Sequence, residues 1–213
     1  MIKYLMKIFS SFPLKDNPEN WEIFNHDDYL KSTEDKKRKI RRSSCIARYN
    51  IEKDSKYSWM ENYFLKNIDQ KKLENKLLLD LGCFTGGRVL AWAENYKLKK
   101  SYGLDVNPIF KTAADEFADE KNLNADFKIG VGEKLPYEDN FFDFVVSTDT
   151  FEHVQNLENS IDECFRVLKP GGMLLAVFPQ YLQPFESHLN FVTNLPCLHW
   201  FFNAKKISEK YFE

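Results

Sequence analysis

Three short segments carry residues whose type and spacing could do chemistry. The first, Asp80-Leu81-Gly82-Cys83-Phe84-Thr85-Gly86-Gly87, sets an acid and three glycines at the end of an apolar run. Glycine at 82 and 86 lets a backbone turn sharply and approach a ligand where a Cβ would obstruct it. A helix N-terminus after such a turn offers free N–H groups to a carboxylate or phosphate. The spacing is not the G-x-G-x-x-G that a dinucleotide pyrophosphate calls for. The second segment is Asp105, 25 residues beyond Asp80. A carboxylate at the tip of a second strand can accept from both ribose hydroxyls of an adenosine group. The alternative is a cap on the next helix, through Asp105 or Asn107. The third is Glu152-His153, where an imidazole with an unperturbed pKa near ~6.5 could take a proton from an acceptor. The bland alternative for His153 is a histidine that hydrogen-bonds a loop; Asp149 and His188 are further acid–base candidates.

Those residues need a frame, and the pattern from Lys76 onward supplies one. Leu77–Leu81, apolar but for Asp80, reads as a parallel strand buried on both faces. A helix is predicted from about Gly87 to Tyr96, then a strand over Ser101–Leu104. Pro108 suits the first turn of the next helix, whose Phe110, Ala113, Ala114 and Phe117 share one face. Asp126–Ile129 and Phe142–Ser147 read as further strands. Ile161, Cys164, Phe165 and Leu168 repeat at helical spacing until Pro170-Gly171-Gly172, which is expected to stop that helix. Met173–Phe178 reads as a fifth strand. Strands alternating with helices imply right-handed βαβ units, a parallel sheet, and a ligand site beyond the strands' carboxyl ends. Every residue singled out above falls at such an end.

Before this stretch the chain reads as polar helices and loops. Residues 2–10, Trp21 to Leu30, Ser32 to Tyr49 and Tyr57 to Ile68 are the predicted helices, with Pro13 and Pro18 keeping one connection irregular. Three regions follow: an N-terminal helical cap over 1–70, an α/β core over 71–180, and a tail over 181–213.

Composition bounds the partners more than the function. The net charge of -2 gives no general signal for nucleic acid. Between Lys31 and Lys56, however, ten Lys/Arg face four Asp/Glu, densest at Lys36, Lys37, Arg38, Lys39, Arg41 and Arg42. That run is either an anion-facing patch or a solvated helix face; the absence of interleaved aromatics favours the face. Cys45, Cys83, Cys164 and Cys197 show no zinc-like spacing, so reduced thiols and a cytoplasmic location are expected. No segment approaches the ~18 apolar residues needed to span a bilayer.

Taken in order, the segments resemble a known family. LLLDLGCFTGGRVL at 77–90 looks like the first motif of class I S-adenosylmethionine-dependent methyltransferases, of the methyltransferase type 11 kind. YGLDVNP at 102–108 is similar to their acidic second-strand motif, and EKLPYEDNFFDFVVS at 133–147 to the approach to their fourth strand. FEHV at 151–154 and FRVLKPGGMLLAVFP at 165–179 match later segments. The resemblance covers about half the chain, and the ordered series is far more specific than any one motif. It implies a doubly wound, mostly parallel, Rossmann-like α/β sheet and S-adenosylmethionine as cofactor. It also implies residue roles. Asp80 would help hold the methionine amino group, and Gly82, Cys83 and Gly86 would contact the methionyl part by backbone. Asp105 would bind the ribose and Val106 would pack on the adenine. Gly132 and Glu133 would edge the adenine, and Thr148 would lie beside the cofactor. Two positions depart from the pattern. Phe84 replaces a common glycine while Gly87 adds one later, and Val131 stands where an acid often receives the adenine amino group.

The resemblance also implies a β6/β7 hairpin after the fifth strand, for which 34 residues follow Pro179. The expectation is a missing or incomplete hairpin, or a fragment of a longer protein. A lid-like segment over 181–213 and a protein partner at that side go with it. The leading function is methyl transfer to a small-molecule or glycan-type acceptor, with His153 as the candidate base and no metal. The alternative is a non-catalytic module of the same fold acting with a partner. A nicotinamide-dependent oxidoreductase is disfavoured by the loop spacing.

Overall fold

A computed structural model describes residues 31–109 and 111–178. Strands β1 (Leu77–Leu81), β2 (Lys100–Asp105), β3 (Ala125–Ile129), β4 (Phe142–Thr148) and β5 (Leu168–Val177) form one sheet. The order is β3-β2-β1-β4-β5 and every pairing is parallel. Among the described residues four α-helices accompany it: α1 (Glu34–Lys53), α2 (Gly87–Asn95), α3 (Lys111–Lys121) and α4 (Leu157–Val167). This is the predicted doubly wound α/β sheet. The predicted helices before residue 31, the lid-like segment and any strand after β5 lie outside the described residues.

The period-two alternation of strands decides what meets what. Leu78, Phe144 and Val146 face one side, where they pack with Trp92 and Tyr96 and with Met60, Phe64 and Leu73. Leu79, Leu81 and Val145 face the other, against Cys164 and Val167 of α4. Asp80 therefore shares the α2 face with Leu78, and Thr148 shares it with Val146. Each fully buried Leu or Val contributes about 1.5–3 kcal/mol, so the sheet is held from both sides.

Helix α1 is tied to this core at Gly87. A Cβ there would lie 2.1 Å from the Cys45 carbonyl oxygen and 2.7 Å from the Tyr49 nitrogen, both backbone atoms of α1. The extra glycine thus serves the approach of two helices, not the bend of the loop before it. Gly87→Ala is expected to push α1 away and cost about 1–3 kcal/mol, as overpacking does. An unchanged urea midpoint would overturn that account.

Four of the six basic side chains of the run pair with acids. Arg38 and Arg42 bridge to Glu116 and Glu120 of α3, while Lys37 and Lys39 pair with Glu34 and Asp35 in the first turn of α1. Thr33 caps that turn, its side chain accepting from the Lys36 N–H at 3.4 Å.

Two expectations are corrected. The helix expected over Tyr57 to Ile68 is reduced to one π-type turn, Met60–Phe64. The chain breaks at Asp54, and the Glu52 side chain captures the Trp59 and Met60 N–H groups, fixing where the new turn begins. Pro170-Gly171-Gly172 does not end α4, which stops at Val167. It lies inside β5, where the register shifts between Phe142 and Phe144 and Gly171 takes φ 80°. An irregular bulge, three extra residues on β5 between Leu168 and Met173, absorbs the residues that looked like a helix stop. Among the described residues Cys45, Cys83 and Cys164 are free and buried, and no helix is long and apolar enough to cross a membrane.

Candidate functional site

Strand β1 lies between β2 and β4, so the chain direction switches beside it, and a ligand crevice is expected at the carboxyl ends there. A cleft of about 930 Å³ occupies that place. Its walls include Gly82, Cys83, Phe84, Thr85 and Arg88 on one side and Asp105 and Val106 at the tip of β2. Gly132, Glu133, Thr148 and His153 also line it, as do Arg48, Ile51, Glu52 and Trp59 from α1 and the turn after it. The volume sits near the top of the ~300–1,000 Å³ common for small-molecule sites.

The loop after β1 makes the bend that its glycines foretold. Gly82 and Gly86 take φ 78° and 75°, and Phe84 takes φ 49°. Phenylalanine therefore adopts the left-handed conformation that glycine would supply, at a strain of about 1–2 kcal/mol. Space at the glycines is taken by the protein itself: a Cβ on Gly82 would strike Thr150, and one on Gly86 would strike Ala114 and Phe127. Their amides are engaged as well. The N–H groups of Gly82 and Cys83 donate to Leu104 O at 2.8 and 3.1 Å, and that of Gly86 donates to Cys83 O at 3.0 Å. Gly86 does not line the cleft. Burial and the nearby Asp80 and Asp105 push the Cys83 thiol well above its ordinary range.

Asp105 faces this loop directly. The Phe84 N–H donates to its Oδ2 at 2.8 Å and the Asn107 N–H donates to its Oδ1 at 2.9 Å. Each oxygen keeps a lone pair, so the carboxylate can still accept two hydroxyls. Val106 is 65% exposed and Val131 is 47% exposed, both on the cleft. They form an apolar surface where a planar group could pack. Glu133 is spent locally: its Oε1 accepts from the Gln155 and Asn156 N–H groups at 2.7 and 3.2 Å, and its own backbone N–H, then those of Asn156 and Gln155, lower its pKa.

Asp80 is not on the cleft surface. It is 0% exposed and lies behind Arg88, whose Nε and Nη2 donate to Asp80 Oδ2 and Oδ1, each at 3.0 Å. Arg88 Nη1 also donates to the Thr148 hydroxyl, and Nη2 reaches Gly82 O at 3.4 Å. Burial pushes the Asp80 carboxyl up to about 6, against the pull of Arg88. Burial also works against the Arg88 charge, and Asp80 more than restores it. Arg48, also on the cleft, is pushed down to about 10 by burial and then by Arg88. Beside it the guanidinium lies 5.9 Å from the Phe84 ring centre.

Past β4, His153 lines the cleft with a side chain 60% exposed. Glu152 does not line it, and among the described residues both its carboxylate oxygens are buried without a hydrogen-bond partner. Asp149 takes φ 51° at the cleft wall, a strained backbone of the kind that collects at functional sites. Sequence reasoning missed Arg88, Arg48, Glu52 and Trp59. Arg88 had a signal, a lone charge inside the apolar helical run GRVLAWA.

Residues 79–176 match the family model described as a methyltransferase domain. Norajmaline N-methyltransferase of Rauvolfia serpentina is 32% identical over 114 residues, 53% of this chain and 39% of that protein. Malonyl-[acyl-carrier protein] O-methyltransferase 1 of Coxiella burnetii is 30% identical over 149 residues, 68% of this chain and 48% of that protein. The chain spans less than half the length of either relative. Among solved structures, PH0226 of Pyrococcus horikoshii is similar with a TM-score of 0.50 and 30% identity, over 58% of this chain and 57% of that one. YcgJ of Bacillus subtilis gives a TM-score of 0.50 and 26% identity over 66% and 63%. Fold, loop, acidic strand tip and family match agree: over residues 79–176 the α/β core of this chain matches a methyltransferase domain and is similar to the class I S-adenosylmethionine-dependent methyltransferases.

Proposed function

We propose that the chain binds S-adenosylmethionine in this cleft and transfers its methyl group to a small-molecule or glycan-type acceptor. The observation that carries the reading is the junction of the 82–85 loop with Asp105 across one open cleft at the switch point. An orphaned polar atom supports the fit: the Thr85 hydroxyl is on the cleft and buried, with no hydrogen-bond partner among the described residues. Such a group is costly to bury unless a ligand satisfies it.

In this reading Asp105 accepts the two ribose hydroxyls. Val106 and Val131 pack on the adenine, and the backbone at Gly132 and Glu133 edges it. Val131 brings no carboxylate, so adenine recognition rests on packing and backbone. The cofactor supplies an already activated methyl group, so the protein's task is to align an acceptor and exclude water. Thr148 holds Arg88 at the inner end of the cleft. His153 stands at the cleft wall, placed to take a proton where the acceptor must lose one. Trp59 and Ile51 offer an apolar wall for the acceptor. The regions 1–70 and 181–213 would then be a helical cap and a lid, with a protein partner at the C-terminal side and a cytoplasmic setting.

Titration calorimetry with S-adenosylhomocysteine tests the cofactor, and turnover against an acceptor panel tests catalysis. Asp105→Ala is expected to weaken S-adenosylhomocysteine by about 1–3 kcal/mol, the value of a lost charge-assisted bond. Unchanged affinity would remove Asp105 from the site.

A further inference from the structure

We propose that Arg88 reads the α-carboxylate of the cofactor's methionyl end, with Asp80 behind it as the residue that positions the guanidinium. This rests on the cofactor reading above and goes beyond it, because it reverses the sign of the group that the end of β1 presents to the ligand. The carboxylate expected to meet an amino group is sealed from the cleft, and a guanidinium stands in front of it.

The geometry leads there in steps. Strand alternation puts Asp80 and Thr148 on the same face of the sheet, under the first turn of α2. Arg88 spans them, with two bonds of 3.0 Å to the Asp80 carboxylate and one to the Thr148 hydroxyl. A guanidinium carries five N–H groups in a fixed fork. Nε uses one, Nη2 uses two, and Nη1 uses one on Thr148. The second N–H of Nη1 has no hydrogen-bond partner among the described residues. Nη1 is the nitrogen on the Thr148 side, and Arg88 and Thr148 both line the cleft.

A second observation points to the same ligand group. The Thr85 hydroxyl, in a residue 1% exposed, lines the same cleft and lacks a partner. One unused charged donor and one unused hydroxyl, both on residues that line the cleft, match a carboxylate, which needs several donors when taken out of water. Arg48 adds a second cation to that wall. Asp80 keeps the Arg88 fork rigid, so little freedom is lost when the ligand arrives.

Decarboxylated S-adenosylmethionine, which keeps the amino group and lacks only the carboxylate, is the discriminating probe. 5′-Methylthioadenosine, which lacks the whole amino-acid end, is the control for the nucleoside half. By calorimetry the wild-type protein is expected to prefer S-adenosylmethionine over the decarboxylated compound by about tenfold or more. Arg88→Met should shrink that preference to about threefold or less while 5′-methylthioadenosine binds as before. Because Arg88→Met strands a buried acid, the neutral pair Asp80→Asn with Arg88→Met is measured beside it, and circular dichroism checks the fold. Equal wild-type affinity for the two sulfonium compounds would overturn the proposal. So would a preference that survives in the neutral pair, or one lost with Arg48→Met instead. Wild-type binding of 5′-methylthioadenosine leaves the cofactor reading standing in each of those cases. Failure to bind any of the three would end both.

Discussion

Glu52→Leu is expected to remove about 3–5 kcal/mol of stability, because one buried acid satisfies four donors at once. Glu52 is 2% exposed in the last turns of α1. Its Oε1 accepts from the Ser58 hydroxyl at 2.7 Å, the Met60 N–H at 3.0 Å and Trp92 Nε1 at 2.5 Å. Its Oε2 accepts from the Trp59 N–H at 3.0 Å. Leucine fills the space and strands all four donors, each at about 1–3 kcal/mol before relaxation. Glu52→Gln keeps one acceptor oxygen but turns an amide NH₂ toward an N–H donor, so about 1–3 kcal/mol is expected there. Urea unfolding of the three proteins measures the series. A leucine variant within 1 kcal/mol of wild type would mean that water replaces the carboxylate, as an accessible site allows. The consequence reaches the cleft, since the same residue fixes the Trp59 backbone and ties α1 to α2 through Trp92.

The same residue shows what the sequence did and did not make legible. The strands were readable because each is a short run with its own buried face, and the place of Asp105 at the tip of β2 followed from where that run ends. Glu52 was harder to see, although Cys45, Tyr49 and Glu52 follow one another at i, i+4 and i+7 along the buried stripe of α1. A charge on a core stripe signals a buried network, but its partners come from a turn and another helix, which spacing alone cannot supply. Gly87 was seen as a change in the loop, while its cause lies in α1, some forty positions earlier. The bulge in β5 escaped because Pro-Gly-Gly carries the same local signal whether it ends a helix or kinks a strand. The pairing of Arg38 and Arg42 with Glu116 and Glu120 needed the tertiary contact between α1 and α3. Local chemistry was legible; the long-range pairings that put Arg88 before Asp80 were not.

Arg88→Met is expected to destabilise the fold by about 3–5 kcal/mol at pH 8, and by clearly less at pH 5. Removing the guanidinium leaves an ionised Asp80 at 0% exposure without its two hydrogen bonds and without its ion-pair partner. The pH dependence follows from proton linkage. With Arg88 present the Asp80 carboxyl already titrates at about 6, because burial outweighs the arginine. In the unfolded chain it titrates near ~3.9, so the folded form holds more protons between those values. Falling pH through that window therefore stabilises the wild-type protein at this site, and rising pH withdraws the gain. Without Arg88 the main opposition to burial is gone, the folded pKa moves higher still, and protonation relieves the variant earlier and by more. The gap between variant and wild type must narrow as the pH drops from 8 to 5. Asp80→Asn combined with Arg88→Met removes the charge altogether. It is expected to recover most of the loss at pH 8 and to show no such narrowing, since neutral partners of similar volume often replace a buried pair at little cost. Urea midpoints for the three proteins at the two pH values decide it. An equal loss for Arg88→Met at pH 8 and pH 5 would mean that the buried charge of Asp80 is not what Arg88 holds in check, and that its place before the cleft has another origin.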